Sequence, residues 1–182
     1  MREYLTFRLY GPMASWGDIA VGEYRPSFAH PSKSAVLGIL AAAVGLRREE
    51  EDKQRQFAVS YGFAVQVHSA GTLLRDYHTI QVPPKRRNVW HATRRSELSS
   101  PDINTILSSR DYRCDAFYTV AIWSAYNENP PHSLAELVES LNRPVFTPYL
   151  GRKACPLALP VQARTINAEN LKQAFLNGNF SD

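Results

Sequence analysis

Tyr4-Leu5-Thr6-Phe7-Arg8-Leu9-Tyr10, closed by Gly11-Pro12, alternates without a break. Leu5, Phe7 and Leu9 fall on one side and Tyr4, Thr6, Arg8 and Tyr10 on the other, which is the period of a half-buried strand. A loop follows through Trp16-Gly17 and Arg25-Pro26 to Pro31. Ser32 then stands where a helix N-cap belongs, and Gly45 where its C-terminal stop belongs. Between them Ala35, Val36, Leu37, Ile39, Leu40, Ala41, Ala42, Ala43 and Val44 leave almost no polar face. A helix of that kind must be deeply packed, and Gly38 offers it close approach to a strand.

Further along, residues 47–57 read as a short charged helix or turn. Val59, Tyr61, Phe63, Val65 and Val67 share one face of a second strand that ends near His68. Ala70-Gly71 is a turn signal, and Thr72 to Val82 reads as the returning strand of a hairpin. Arg110-Asp111-Tyr112-Arg113-Cys114 enters another strand, and the stretch from Ala116 to Trp123 is strongly β-prone. Ser133-Leu134-Ala135-Glu136 is a capping box, with Leu134, Leu137, Val138 and Leu141 as the apolar stripe of its helix and Arg143-Pro144 as its end. Beyond lie Pro148 to Pro156 and a weakly helical polar tail. This order places the chain in the α+β class. It suits a ferredoxin-like (RRM-like) βαββαβ domain carrying a long hairpin insertion.

The 182 residues fit one domain, and a chain of this size buries roughly 70% of its unfolded surface without covalent staples. The net charge is +4, but the excess is local. The two cysteines, Cys114 and Cys155, lack CxxC spacing. They are expected to be buried thiols in a reducing cytosol, with neither a disulfide framework nor zinc. The N-terminus lacks a signal-peptide core, and the longest apolar run, Ala35 to Val44, is too short to span a membrane. A soluble, cytoplasmic protein is expected. No clustered His and carboxylate spacing points to a metal, so no cofactor is expected.

The positive charge concentrates in Pro83-Pro84-Lys85-Arg86-Arg87-Asn88-Val89-Trp90-His91-Ala92-Thr93-Arg94-Arg95, which holds no acidic residue. Cations neutralise phosphates and flat rings stack on bases, so this finger suits a nucleic-acid backbone. Its bland alternative is a solvated loop. It reads as extending to about Ser109. Ser32, Lys33 and Ser34 open the apolar helix, and there either plain capping or phosphate binding is possible.

Three stretches together carry a resemblance. They are Leu9-Tyr10-Gly11-Pro12-Met13-Ala14-Ser15-Trp16-Gly17, Arg25-Pro26 with the run from Pro31 to Leu40, and Tyr149-Leu150-Gly151-Arg152-Lys153-Ala154-Cys155-Pro156-Leu157. They resemble the CasD family of the type I-E CRISPR Cascade complex, within the RAMP superfamily, over about residues 1–160. The resemblance implies a ferredoxin-like domain with a thumb-like insertion at about 83–109. It implies a non-catalytic subunit that grips the 5′ handle of the guide RNA. Its other implied partners are the Cascade backbone subunit and the large PAM-reading subunit, with target DNA met only indirectly. The family continues past the Cys-Pro motif through further strands, whereas here residues 161–182 form only a short tail. That implies either a naturally short member or a truncated C-terminal segment.

On this reading Lys85, Arg86, Arg87, Arg94 and Arg95 contact phosphates, which positions RNA without reading its sequence. Trp90 stacks on a base, wedges against a neighbour or packs the finger onto the body. Gly151, Arg152 and Lys153 approach a phosphate and Tyr149 stacks; Arg110 and Arg113 line the same groove, or one of them is solvated, and Arg25 is a further RNA-binding residue. Trp16 is either core or interface. The rival reading is a metal-independent endoribonuclease, as in related type I-C subunits. It needs an acid, a base and a cation, and the candidates are His78, His91, Tyr24, Tyr77 and Lys85. The type I-C members resemble a Tyr with an adjacent Lys-His pair; here Lys85 is followed by Arg86. A third class is a pure interaction protein whose finger docks on an acidic subunit surface.

Overall fold

A computed structural model describes residues 1–84, 89–125 and 130–180. The chain is α+β, with one large sheet at its centre. β1 (Arg2–Ala14) pairs antiparallel with β7 (Asn104–Ser124) from Leu5↔Ile122 to Ala14↔Arg113. On its other edge β1 meets β8 (Arg164–Ala168), also antiparallel. β5 (Tyr61–Ser69) runs along the far edge of β7, so the body of the sheet is ordered β8-β1-β7-β5. Two short strands, β2 (Trp16–Gly17) and β4 (Ser27–Phe28), pair with each other, and β3 (Tyr24–Arg25) lies parallel to β7.

Helices α1 (Lys33–Val44), α2 (Glu51–Ser60) and α4 (Leu134–Asn142) bring their apolar residues to the Leu5, Phe7 and Leu9 face of the sheet. Ser32 caps α1 by accepting from the Ala35 N–H, and Gly45 ends it at φ +81°. The Ser133–Glu136 capping box starts α4 as its sequence demands. Trp16 is core, edge-on to Tyr118 at 5.8 Å between ring centres.

The other face of β1 is covered as well. Tyr4 forms a second apolar cluster with Ala168 and with Ala174 of α5 (Leu171–Asn177), against Trp123 and Leu171. Thr6 and Arg8 are buried beside it, and Arg8 donates from Nε to the Pro160 carbonyl at 2.9 Å. The half-buried strand expected from the alternation is therefore buried on both faces. The stretch read as a weakly helical polar tail supplies an edge strand and a covering helix. Five residues of β8, mostly polar outward, are too short a period to read without their partner strand.

Gly11-Pro12 does not close β1, which stays paired to β7 through Ala14. Four further local expectations differ from the structure. Gly38 is exposed, and a Cβ there would meet nothing within 4 Å. It lies on the open side of α1 with Ser34, not against a strand. Val59 belongs to α2 and is exposed, because Phe57 and Ser60 turn inward and the strand starts only at Tyr61. The strand after the finger begins at Asn104, not Arg110.

The fourth is the most consequential. Ala70-Gly71 does not reverse the chain. β6 (Thr72–Val82) continues along the same edge of β7 that β5 occupies, from Thr72↔Cys114 to Val82↔Asn104. β5 and β6 together face the 21-residue β7 as one long hairpin. Gly71 is a kink: it sits at φ +68°, and a Cβ there would come within 2.3 Å of the Cys114 carbonyl. Opposite it Asp115 also has positive φ, +57°. Past this level β1 continues only to Ala14 and β3 adds two residues, and the β6–β7 arm projects, with most of its side chains exposed.

Candidate nucleic-acid interface

The base of the arm gathers charge. β3 pairs with Ser109 and Arg110 of β7, and β6 pairs with the same two residues through Tyr77 and Asp76. β3 and β6 therefore occupy opposite edges of β7, and the base is three strands wide. Residues in register share a face. Arg25 lies level with Arg110 on one face, while Arg75 lies level with Asp111 on the other.

On the first face the Arg152 guanidinium stacks over Tyr112, 4.7 Å from the ring centre, and donates from Nη2 to the Arg25 carbonyl at 3.4 Å. Arg25, Arg110 and Arg152 are thus brought together although they are far apart in sequence. Arg25 donates to the Gly22 and Tyr24 carbonyls and is otherwise exposed. Asp76, level with Arg110, is the acidic neighbour, and its Oδ2 lies 2.8 Å from Nε2 of His78.

On the second face Arg75 donates to Asp111 from Nε (2.9 Å) and Nη2 (3.2 Å), and Tyr24 donates from its hydroxyl to Asp111 Oδ2 at 2.6 Å. Arg75 also reaches the Tyr24 hydroxyl at 2.8 Å. Asp111 is only 2% exposed. The Arg75 hydrogen bonds hold its carboxyl below the usual range. The bond to Asp111, with desolvation, raises the Tyr24 phenol.

The loop between Tyr149 and Pro156 is a tight turn closed by an isolated bridge between those two residues. The Ser15 N–H donates to the Leu150 carbonyl at 2.9 Å. Gly151 has φ +82°, and a Cβ there would lie 1.9 Å from the Ser15 carbonyl oxygen, so only glycine fits. Its N–H is already given to the Tyr149 carbonyl at 3.0 Å. That N–H is therefore not free for the expected phosphate contact; Arg152 Nη1 is buried, and Lys153 is exposed. Gly151 and Tyr149 line a groove of about 720 Å³ together with Ser32, Ser34, Gly38 and Arg48. Ser32 uses its hydroxyl in capping and contacts Ser34 Oγ at 2.9 Å, and Lys33 is half-buried beside them.

Lys85, Arg86 and Arg87 lie outside the described residues. Trp90 is 85% exposed, so it does not pack the finger onto its own body. Arg94 and Arg95 open a short helix, α3 (Arg94–Leu98). Arg94 is committed to Glu97 and to the Gln81 carbonyl, which ties the helix back onto β6, while Arg95 is exposed.

Of the described acid–base candidates, Tyr24 and Tyr77 are both level with Ser109 and share its face, and neither histidine joins them. Tyr77 and His78 are consecutive strand residues and point to opposite faces. His91 bonds Ser96 Oγ through Nδ1 at 3.1 Å, and the Tyr24 proton is held by Asp111. Among the described residues no three of His, Cys, Asp and Glu form a metal-binding group. Cys155 is buried and Cys114 half-buried, both as free thiols. No helix among the described residues is long and apolar enough to cross a membrane.

Sequence reasoning missed Arg75, Asp111 and Tyr112. Arg75 and Asp111 are separated by 36 positions, and only the hairpin register makes them neighbours.

An α+β sheet with a long exposed hairpin arm and a group of arginines at its base describes the class. The family model described as CRISPR-associated protein (Cas_Cas5) matches residues 4–180, and the chain belongs to that family. It is 34% identical over 188 aligned residues to the CRISPR system Cascade subunit CasD of Escherichia coli (strain K12), covering 97% of this chain and 77% of that one. Among solved structures it is similar to a chain of a CRISPR RNA-guided surveillance complex, with TM-score 0.67, 31% identity, and 94% of this chain covered. It is also similar to a chain described as a Cas protein, with TM-score 0.56, 26% identity, and 87% covered. The chain spans 66% and 61% of the lengths of those two solved chains.

Proposed function

We propose that this chain is a non-catalytic CRISPR RNA-binding subunit of a type I-E Cascade antiviral effector complex, working in the cytoplasm. It clamps the 5′ handle of the guide RNA and caps the backbone next to the large, PAM-reading subunit. Family membership and a relative named as a Cascade subunit support the assignment. The sheet order β8-β1-β7-β5, with α1 between β1 and β5 and α4 between β7 and β8, supports a ferredoxin-like (RRM-like) reading. The projecting β6–β7 arm supports the thumb.

The observation that carries the RNA reading is the convergence of Arg25, Arg110 and Arg152 at the arm base. Arginines on two strands and one loop present planar donors to successive phosphates. Exposed Arg95 and Lys153 extend the cationic track, and Lys85, Arg86 and Arg87 add phosphate contacts of their own. Trp90, without a core to enter, offers its ring to a base or to a neighbouring subunit. The separation of both histidines from Tyr24 and Tyr77 supports positioning over cleavage.

The test is end-labelled repeat RNA incubated with purified protein in EDTA, followed for mobility shift and cleavage beside a scrambled RNA. An intact, handle-dependent shift is expected. The absence of any shift overturns the clamp. Site-specific cleavage makes the protein a guide-processing nuclease.

A further inference from the structure

The arm joins the body at a level where both of its strands break regular geometry. Gly71 and Asp115 have positive φ, the register slips between Val67 and Ser69, and Ser69 Oγ bridges the break by donating to the Asp115 carbonyl at 3.3 Å and accepting from the Gly71 N–H at 3.1 Å. Beyond it β6 is mostly exposed, and past the level of β3 the arm is a two-stranded ribbon in which β7 is exposed from Asn104 to Leu107. A two-stranded ribbon of that kind has little intrinsic rigidity, and a double kink leaves its angle to the body undetermined.

One carboxylate answers this. Asp111 lies four residues before Asp115, on the arm side of the kink, and accepts from Arg75 on β6 and Tyr24 on β3, so it ties both outer strands to the central one. Its own carbonyl accepts from Ser15 Oγ at 3.0 Å, which anchors the node to the end of β1. The Glu23 carbonyl, next to Tyr24, accepts from the Ser109 N–H and from Ser108 Oγ. A buried charge survives only when its lone pairs are met by donors, so the three strands are held at the one geometry that satisfies it.

We propose that Asp111, with Arg75 and Tyr24, is an orientation lock. It sets the angle of the arm on the body and so keeps the exposed Arg95 and Trp90 in line with Arg25, Arg110 and Arg152 along a single RNA strand. The consequence for RNA rests on the clamp reading; the lock itself does not.

Spin labels carried by p-acetylphenylalanine at Ser99 in the arm and Arg55 in α2 leave the native cysteines untouched. Pulsed dipolar spectroscopy on the full chain then reads the arm angle as a distance distribution. The wild type gives one narrow distribution, and Asp111→Asn, which keeps the volume, broadens it with the far-UV spectrum retained. Tyr24→Phe, which deletes a single hydroxyl, broadens it less and carries the test if Asp111→Asn does not fold. A distribution as narrow as wild type in a folded variant overturns the lock.

Handle RNA titrated into the same proteins gives a second reading. Removing a negative charge beside the arginines would by itself tighten binding. A misaligned arm weakens it, by roughly tenfold. Tighter or unchanged binding by Asp111→Asn overturns the positioning role. If the wild type itself binds no RNA, the clamp fails while the distances still decide the lock.

Discussion

The Arg152 guanidinium lies over the Tyr112 ring, 4.7 Å from its centre, and this stacking couples the Gly151 turn to the base of the arm. Arg152 Nη2 continues to the Arg25 carbonyl, so a body loop, β7 and β3 meet at one side chain. The planar, delocalised guanidinium can stack and donate at the same time; an ammonium cannot.

Arg152→Ala is accordingly expected to weaken handle RNA binding and to lower its salt slope by about one unit for each phosphate that is no longer neutralised. Arg152→Lys restores the slope but not the affinity, because the charge returns without the stacked geometry. Filter binding over a salt series checks both. An alanine variant with wild-type affinity and slope removes Arg152 from the interface.

Gly151→Ala puts a Cβ 1.9 Å from the Ser15 carbonyl at a backbone angle of φ +82°. The turn must open, which costs about 2–4 kcal/mol. A lower midpoint in urea, with the slope of the transition unchanged, is expected. The Ser15 to Leu150 hydrogen bond is the first to break, visible as faster exchange of the Ser15 amide.

Trp90→Ala leaves the thermal midpoint of the isolated chain where it was, since the ring is 85% exposed. The same variant binds handle RNA more weakly or fails to assemble with neighbouring subunits, because a stacked ring contributes about 1–3 kcal/mol. A fall in the isolated melting temperature would place Trp90 in packing the structure does not show.

Stability falls at both ends of the pH range for separate reasons. Arg75 lowers the Asp111 carboxyl, so its contribution is present above the ordinary carboxylate pKa and is lost as pH drops through the lower, folded value. At the alkaline end burial pushes Tyr61 up to about 12 from 10.0. The neutral phenol, donating to the His132 carbonyl at 2.6 Å, contributes stability below pH 10.0 that is lost as pH rises toward about 12. Denaturation midpoints against pH, with phenolate absorbance for the alkaline limb, check the two windows. Asp111→Asn reduces the acid limb, to which Glu50 and Glu136 also contribute, and Tyr61→Phe reduces the alkaline one, to which Tyr24, Tyr118 and Cys155 also contribute.

Periodicity located β1, although it runs on past Gly11-Pro12, and end signals were enough for α1 and α4. The alternation through Leu5, Phe7 and Leu9, the Ser32 and Gly45 ends, and the Ser133–Glu136 box are all local, and local chemistry decides them. The arginines and Trp90 were visible as residue types, because a cation or an exposed ring next to prolines announces itself in one dimension.

What belonged to the sequence by itself was the class: an α+β chain with an uneven basic charge and the motifs of its family. Tertiary structure alone decided that Gly71 bends a strand and does not reverse it, that Arg164–Ala168 adds an edge strand to the sheet, and that Arg25, Arg110 and Arg152 come together. The reason is the same in each case. Strand pairing joins residues tens of positions apart, and its register depends on the partner edge, which no local window contains. Asp111 reads in sequence as one more charge, and only the hairpin turns it into the buried node between Arg75 and Tyr24.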